Sequence, residues 1–400
     1  GVAEGWLADL WAGRTTASFR LDPSRADLEP GDVLALDVDG RAERVVITGI
    51  ADGDTRAIEA RTLDPAAYRP IRGGTRDRVG LLATVRGAPI VHVLDLAHAV
   101  EDADIHRPYL AAWASPWTGP LSVRRGYDAA TFVEIATIDR PAVMGVTLAD
   151  LSPGPVAIWD RKTVLDVRLW GGALAGASER LVLDGANRAA VRAPSGEWEV
   201  IQFVEAELIA ASTWRLSGLL RRQGGSDAAG AEIVPAGAPF VLLDDRLITL
   251  PVARDDLGRS DDLRVGPAAE AYTAASWIAT TATPLGNGLR PWSPAHLAVA
   301  VDPDGGDVTV TWIRRSRVAG ADSWALLEVP LGAASERWRL TLVHDGTEIL
   351  TTETTSPTWT WPRAERDAAL GPSPVDVTVS VAQIDGEWGV GTARAAVFRL

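Results

Sequence analysis

The side chains that could carry out chemistry in this 400-residue chain include five histidines, 53 carboxylates and the adjacent arginines Arg221 and Arg222. His98 and His106 lack the i, i+4 spacing that places two zinc-binding imidazoles on one face of a helix. His92 alternates with valines in a strand-like run, which is typical of a packed core histidine. We therefore predict no metal site.

Other catalytic motifs are missing from the sequence. There is no G-x-S-x-G motif of a serine hydrolase, and the one lysine, Lys162, is far from any glycine-rich phosphate-binding loop. The absence of cysteine excludes thiolate catalysis, disulfides and cysteine–zinc sites. Glu205 and Glu207 would share a strand face near Glu199, but such acidic pairs are expected by coincidence in a chain this rich in acids. We predict no enzymatic activity and no cofactor.

Two aromatic and two basic residues are candidate contact sites. Trp359 and Trp361, in the segment PTWTWP, would project from one face of a strand, either as a stacking platform for a sugar or as core packing. Arg221 and Arg222, in TWRLSGLLRRQGGSD, lie between an apolar run and a Gly-Gly pair. No helix N-terminus or further donor indicates an anion site there, so we predict a turn whose arginines form ion pairs within or between subunits.

The composition predicts a folded, multidomain and acidic protein. Hydrophobic residues make up 46% of the chain, charged residues 23%, and the net charge is −14. A single core stops growing at about 250–300 residues, so several domains are expected. The negative charge disfavours a broad grip on nucleic-acid phosphates. The sequence shows neither a long apolar run nor a signal-peptide pattern that would predict membrane insertion or export.

Short β-branched and aliphatic runs, separated by glycine, proline and aspartate, predict a mainly β fold. The clearest hairpin has a first strand at Val33–Val38, a turn at Asp39-Gly40 and a return strand at 44–50. Further short strands predict β-sandwich or barrel-like domains. Helical periodicity is confined to about residues 94–114.

These patterns divide the chain into four parts. Residues 1–80 are predicted to form a β-rich segment, and residues 86–255 one or more β-rich domains with a short helical insertion near 94–114. Residues 256–295 contain many small and turn-forming residues, which predict an extended connector. Residues 296–400 carry about seven strands and an early tryptophan, Trp312, which predict a fibronectin type III-like sandwich.

Several segments in this order resemble one family. The segments FRLDPSRADLEPGDVLAL, LSGLLRRQGGSD, FVLLDDRLITLPV and LRPWSPAHLAVAV are similar to the C-terminal part of tail-tip hub proteins of long-tailed phages and phage-like gene transfer agents, including the megatron-like multidomain baseplate proteins. Each segment is short, so the resemblance depends on their order. The hydrolase-like barrel that some members carry upstream has no counterpart here.

The resemblance implies a structural protein of a virion or phage-like particle. It predicts β-rich hub domains at the tail tip or baseplate, a homotrimer, contacts with other tail and baseplate proteins, and assembly in the host cytoplasm. DNA would pass during delivery into a host cell without specific binding, in agreement with the acidic charge. The alternative is a carbohydrate-binding or glycan-hydrolysing module that recognises a host cell-surface glycan or receptor through Trp359 and Trp361.

Overall fold

A computed structural model describes residues 7, 9–65, 87–96, 104–127, 131–156, 158–303, 306–318, 328–332 and 334–400. These residues form a mainly β protein, as the sequence predicts. The chain divides into two compact units, Gly1–Thr84 and Val85–Leu400. In the described part of the chain, no helix is both long and apolar enough to cross a membrane.

The first unit contains a four-stranded antiparallel sheet in the order β1-β4-β3-β2. Its strands are β1 (Thr16–Leu21), β2 (Val33–Val38), β3 (Arg41–Ala51) and β4 (Arg56–Thr62). The predicted hairpin is confirmed as β2 and β3. Asp39 and Gly40 join them with φ values of 54° and 76°, the positive values that a type I′ turn requires. Leu28, Ile47 and Ile58 form the small core.

Over its described residues, the second unit contains the remaining strands and two α-helices. The strands are β5 (Ile90–Leu94), β6 (Tyr109–Trp113), β7 (Leu121–Gly126), β8 (Phe132–Ile138), β9 (Met144–Thr147), β10 (Trp159–Asp160), β11 (Leu165–Leu169), β12 (Arg188–Arg192), β13 (Trp198–Ala210), β14 (Thr213–Gln223), β15 (Pro239–Leu242), β16 (Ile248–Thr249), β17 (Asp261–Pro267), β18 (Ile278–Ala282), β19 (Ala295–Val301), β20 (Val308–Ile313), β21 (Trp338–His344), β22 (Thr347–Thr354), β23 (Thr358–Trp361), β24 (Asp376–Asp385), β25 (Gly389–Val390) and β26 (Arg394–Arg399). The helices are α1 (Glu179–Leu183) and α2 (Arg363–Leu370).

Six strands of the second unit close into an antiparallel barrel. The circuit runs β14-β11-β9-β15-β12-β13 and returns from β13 to β14, so each strand has a neighbour on both sides. The short β10 pairs with a separate part of β14. Almost completely buried side chains, including Val167, Ile201, Phe203 and Phe240, fill the interior. Closure removes the unpaired edges that an open sheet exposes.

A three-stranded sheet, β16-β6-β5, shares one core with the barrel and another with a four-stranded sheet, β18-β17-β7-β8. Side chains alternate between the two faces of β6. Leu110 and Ala112 join the core that contains Val123 of the four-stranded sheet. Ala111, between them, joins the core that contains Met144 of the barrel. The middle sheet is therefore covered by apolar side chains on both faces.

The C-terminal strands form the predicted fibronectin type III-like sandwich. A three-stranded sheet, β19-β20-β23, packs against a sheet in the order β22-β21-β24-β26, and β25 adds to the end of β24. Trp312, Trp338 and Trp361 lie in the core between the two sheets. Trp312 is therefore the buried tryptophan that the sequence predicts.

Two predicted features differ from the structure. The predicted connector at 256–295 contains β17 and β18, which join the four-stranded sheet. Its small residues have packing roles that the sequence does not reveal. A Cβ atom on Gly266 of β17 would overlap the ring of Trp277, which packs against this strand. In the predicted helical region, Tyr109–Trp113 is a strand, while residues 97–103 lie outside the described residues.

Candidate functional site: the joint between barrel and sandwich

The long hairpin of β13 and β14 places three charged side chains at one end of the barrel. Arg221 and Arg222 belong to β14, whereas the sequence places them in the following turn. Glu199 lies on the neighbouring strand β13, near a register shift between Val200 and Gln202. This pairing brings together charges that are separated by 22 positions in the sequence.

Arg221 and Glu199 form a buried, bidentate ion pair. Both side chains are 0% exposed. Arg221 donates from Nε to Glu199 Oε1 at 2.8 Å and from Nη2 to Oε2 at 2.7 Å. Its Nη1 donates to the carbonyl oxygen of Ser152 at 3.1 Å. Of the two predicted alternatives, the ion pair within the subunit is the one found for Arg221, and an intersubunit pair is wrong for this residue because its side chain is fully buried against Glu199 of the same chain.

Arg222 completes this charge network through its backbone as well as its side chain. Its amide donates to Glu199 Oε1 at 3.0 Å, and its Nε donates to the carbonyl oxygen of Gly230 at 2.8 Å. Burial lowers the pKa of the Arg222 guanidinium, although the nearby Glu199 and Asp227 act in the opposite direction. A Cβ atom on Gly230 would overlap Arg222, so glycine makes this close approach possible. An intersubunit contact by Arg222 stays a prediction.

The turn after β14 contacts the segment that leads into the sandwich. Asp227, which is 7% exposed, accepts a hydrogen bond from Arg315 Nη1 at 2.8 Å. Arg315 lies just after β20 of the sandwich, and its guanidinium is 5.3 Å from the centre of the Trp292 ring. Gly225 has a φ of 83°, and a Cβ atom there would overlap Trp292. We call this contact region, defined by Gly225, Asp227, Trp292 and Arg315, the joint.

Further ion pairs surround the joint. Arg290 pairs with Glu197 of the barrel at 2.9 Å, and Arg254 pairs with Glu387 of the sandwich at 2.6 Å. Asp385 of the sandwich lies 3.5 Å from Arg317. Burial by itself would raise the pKa of Asp385, but two backbone N–H groups and Arg317 hold it below its usual value. Of these pairs, Asp227–Arg315 joins the turn after barrel strand β14 to the sandwich, whereas Arg317 and Asp385 both belong to the sandwich.

The two predicted glycan-contact tryptophans lie away from these charges, in the sandwich. Trp361 is 2% exposed and belongs to the core, and Trp359 is partly buried against that core. Their ring centres are 6.1 Å apart with planes tilted by 34°. The same-face spacing is confirmed, but that face points inward. The prediction of a sugar platform is therefore wrong for Trp361, whose ring is covered by the second sheet.

Of the three acids in the β13 segment, Glu205 and Glu207 lie on one exposed face, as predicted, whereas Glu199 is buried apart from them. Glu199 points into the barrel, while Glu205 is exposed and accepts a hydrogen bond from the Ser217 hydroxyl at 2.8 Å. In the described ranges, no cluster of histidine and carboxylate side chains could hold a metal ion.

The sequence analysis missed Asp227 and Arg315. The small residues of GGSDAAGA were the available signal, since they allow close packing at the joint.

Two family models match parts of this chain. Residues 142–241 match a family described as "Rcc01698-like, C-terminal", and residues 1–50 match one described as "Putative phage tail protein". The N-terminal match supports a phage tail protein and a structural role in the phage particle alongside other tail proteins. The other match is consistent with gene-transfer-agent-like proteins, and it coincides with the closed barrel.

Comparisons with whole proteins add little. No curated protein matches this chain. Solved structures similar to it include domains d3–d4 of rat CD45, at 12% identity over 40% of this chain and 72% of that one, with a TM-score of 0.21. A cytokine receptor complex is 13% identical over 78% and 95%, with a TM-score of 0.22. The FN1–FN3 domains of chicken CNTN1 are 9% identical over 78% and 99%, with a TM-score of 0.19. Scores this low carry no argument, so the fold assignment rests on the strand pairing described above.

Proposed function

We propose that this chain builds part of the hub at the tail tip or baseplate of a phage-like particle, through which DNA is delivered into a host cell. The main supporting observation is that the match to the Rcc01698-like family, at residues 142–241, covers the closed barrel. The match of residues 1–50 to a phage tail family is independent support. The barrel would form the hub, and the sandwich would extend from it through the joint.

The joint supports a mechanical role. A tail tip must transmit force between domains during DNA delivery, and paired charges at the joint resist separation because each exposed partner would lose its counter-charge. The Asp227–Arg315 pair has side chains that are 8% and 22% exposed. Such partly buried pairs are screened by salt less than surface pairs.

The finer features of this proposal follow from the family resemblance and the charge. The chain would act as a homotrimer around the tail axis and bind other baseplate proteins. Its net charge of −14 would keep passing DNA from adhering to the surface. No catalytic step and no cofactor belong to this role.

Labelling of assembled particles tests the proposed position. An antibody raised against residues 296–400, coupled to gold, should mark one end of the tail in electron micrographs. An in-frame deletion of the gene should abolish DNA delivery while leaving DNA-filled heads, and the wild-type gene should restore it. Label along the whole tail tube, or on heads, would contradict the proposal. Native mass spectrometry of the extracted tip tests the trimer separately.

The carbohydrate-binding alternative has no specific structural support at Trp359 and Trp361. Binding of the intact chain to a glycan array, with loss of binding in Trp359→Ala, would favour that alternative. This substitution removes the partly buried ring while leaving the Trp361 side chain in the core.

A further inference from the structure

The turn of the β13–β14 hairpin is apolar and exposed. Ala211 and Ser212 join the two strands. Before the serine, Leu208 and Ile209 are 58% and 38% exposed, and Ala210 and Ala211 are exposed as well. Hairpin turns are normally built from glycine, asparagine and aspartate, and a run of exposed apolar residues is typical of a contact surface. We call residues 208–211 the apolar turn.

A β-bulge at the end of β13 contributes to this exposure. Leu208 is opposite Trp214 and Ala210 is opposite Thr213, so Ile209 has no partner on β14. Trp214 packs against the barrel core, whereas Leu208 is largely exposed although cross-strand partners share one face of a sheet. A bulge bends the strand and leaves its extra residue outside the ladder. Leu208 and Ile209 are therefore both accessible, at the other end of the hairpin from the buried charge pair and the joint.

Hydrogen bonds to β11 hold the hairpin in place next to the apolar turn. The Leu169 N–H donates to the carbonyl oxygen of Ser212 at 2.8 Å. Arg215 donates from Nε and Nη2 to the two carboxylate oxygens of Asp166, both at 2.8 Å. These bonds tie the start of β14 to a third strand. A surface that is ordered before binding loses little conformational entropy when a partner docks on it.

Carboxylates outnumber cations on the strands that carry the apolar turn. Glu205 and Glu207 lie on the exposed face of β13. Among the described residues, no arginine or lysine lies within ion-pair distance of either carboxylate, because Arg215, opposite Glu207, is paired with Asp166. Arg168 on β11 is exposed and supplies one further positive charge. Three carboxylates and two guanidinium groups therefore leave this end of the hairpin weakly acidic.

We propose that the apolar turn inserts into an apolar groove with a basic rim on a different protein of the phage-like particle. Leu208 and Ile209 are the anchors that the groove buries, and Glu205 and Glu207 face its basic rim. A second copy of this chain is disfavoured as the occupant, because each copy carries a net charge of −14. This inference rests on the proposed function, since the neighbour belongs to the particle, and it adds the surface through which the barrel binds that neighbour.

Photo-crosslinking in assembled particles tests the contact directly. Ala211→p-benzoylphenylalanine places a reactive benzophenone on the turn and leaves Leu208 and Ile209 unchanged. After irradiation of purified particles, mass spectrometry should find an adduct between this chain and a different particle protein. The crosslinked peptide of that protein should contain aliphatic or aromatic residues together with lysine or arginine. The same probe at Val397, a 65% exposed position of the sandwich, should not crosslink to that peptide.

Substitutions measure how much the apolar turn contributes. Leu208→Ser combined with Ile209→Ser should lower the amount of this chain per purified particle by about tenfold or more, because both anchors are removed. Glu205→Lys combined with Glu207→Lys should also lower it, because like charges then meet at the rim. Val397→Ser is the matched control on another exposed surface and should leave the amount unchanged. Near-UV circular dichroism of the purified chains identifies the variants that fold.

Several results would overturn the inference. One is an adduct that joins two copies of this chain or that contains an acidic peptide, and another is the absence of any adduct although the chain is present in the particles. Unchanged incorporation of the folded double serine variant, or increased incorporation of the double lysine variant, would also overturn it. Absence of the wild-type chain from the particles would contradict the proposed function and this inference together, so the two failures can be told apart.

Discussion

Replacing Glu199 with glutamine should destabilise the barrel strongly. In the wild type, Glu199 compensates the charge of Arg221, and both side chains are fully buried. Glu199→Gln removes the negative charge and leaves the buried guanidinium without a counter-charge. Breaking a buried pair in this way costs about 3–5 kcal/mol. Because domains have total stabilities of about 5–15 kcal/mol, this is a large share of the free energy of unfolding.

Urea unfolding followed by tryptophan fluorescence measures this loss. The matched control is Asp376→Asn, which breaks the surface pair with Arg399, whose side chains are 64% and 66% exposed. It should change the free energy of unfolding by less than about 1 kcal/mol.

A double variant tests the physical cause. Glu199→Leu combined with Arg221→Met leaves no buried charge, so it should lose less stability than Glu199→Gln. A loss below about 1 kcal/mol for Glu199→Gln would refute the reasoning, and so would a double variant that is less stable than the single one.

The remaining predictions concern pH, backbone packing and the joint. Burial, together with Arg192, lowers the pKa of His92 to about 4. Since an unfolded histidine titrates near 6.5, the free energy of unfolding should be at its full value above pH 6.5 and fall by about 2–3 kcal/mol towards pH 4.5. In His92→Gln this pH-dependent loss should be absent, so urea unfolding at the two pH values should differ less than in the wild type. Gly288→Ala should cost about 3 kcal/mol because its Cβ would overlap the Ile105 carbonyl oxygen, whereas Gly87→Ala, with open space around it, should be nearly neutral in the same assay. Asp227→Ala leaves Arg315 without its carboxylate, so hydrogen exchange at residues 290–318 should accelerate while exchange in the barrel strands is unchanged; equal exchange rates would show that this pair does not hold the joint.

Local signals predicted much of the fold. The turn at Asp39-Gly40 defines the first hairpin because these residue types accept positive φ values, and the structure has them there. Trp312 and the alternating strands around it predicted the C-terminal sandwich, since inward-pointing residues at period two must meet a second sheet. In both cases the information lies within a short stretch of chain.

Features that depend on distant contacts were not predictable in the same way. The small residues of 256–295 predict an extended connector, yet Gly266 is small because the Trp277 ring packs against its strand. Arg221 and Glu199 are each ordinary in the sequence, and only the pairing of β13 with β14 brings them together. The register of that hairpin cannot be derived from either strand, so the buried charge pair was beyond sequence analysis.

The closed circuit of six strands limits how the barrel can meet its neighbours. Over the paired lengths, its backbone N–H and C=O groups are already engaged within the chain. A neighbouring protein therefore cannot attach by adding a strand to this ring and must instead bind side chains and loops. Substitutions of surface side chains can therefore change which proteins the barrel binds. The backbone hydrogen bonds that close the barrel do not depend on those side chains and stay the same.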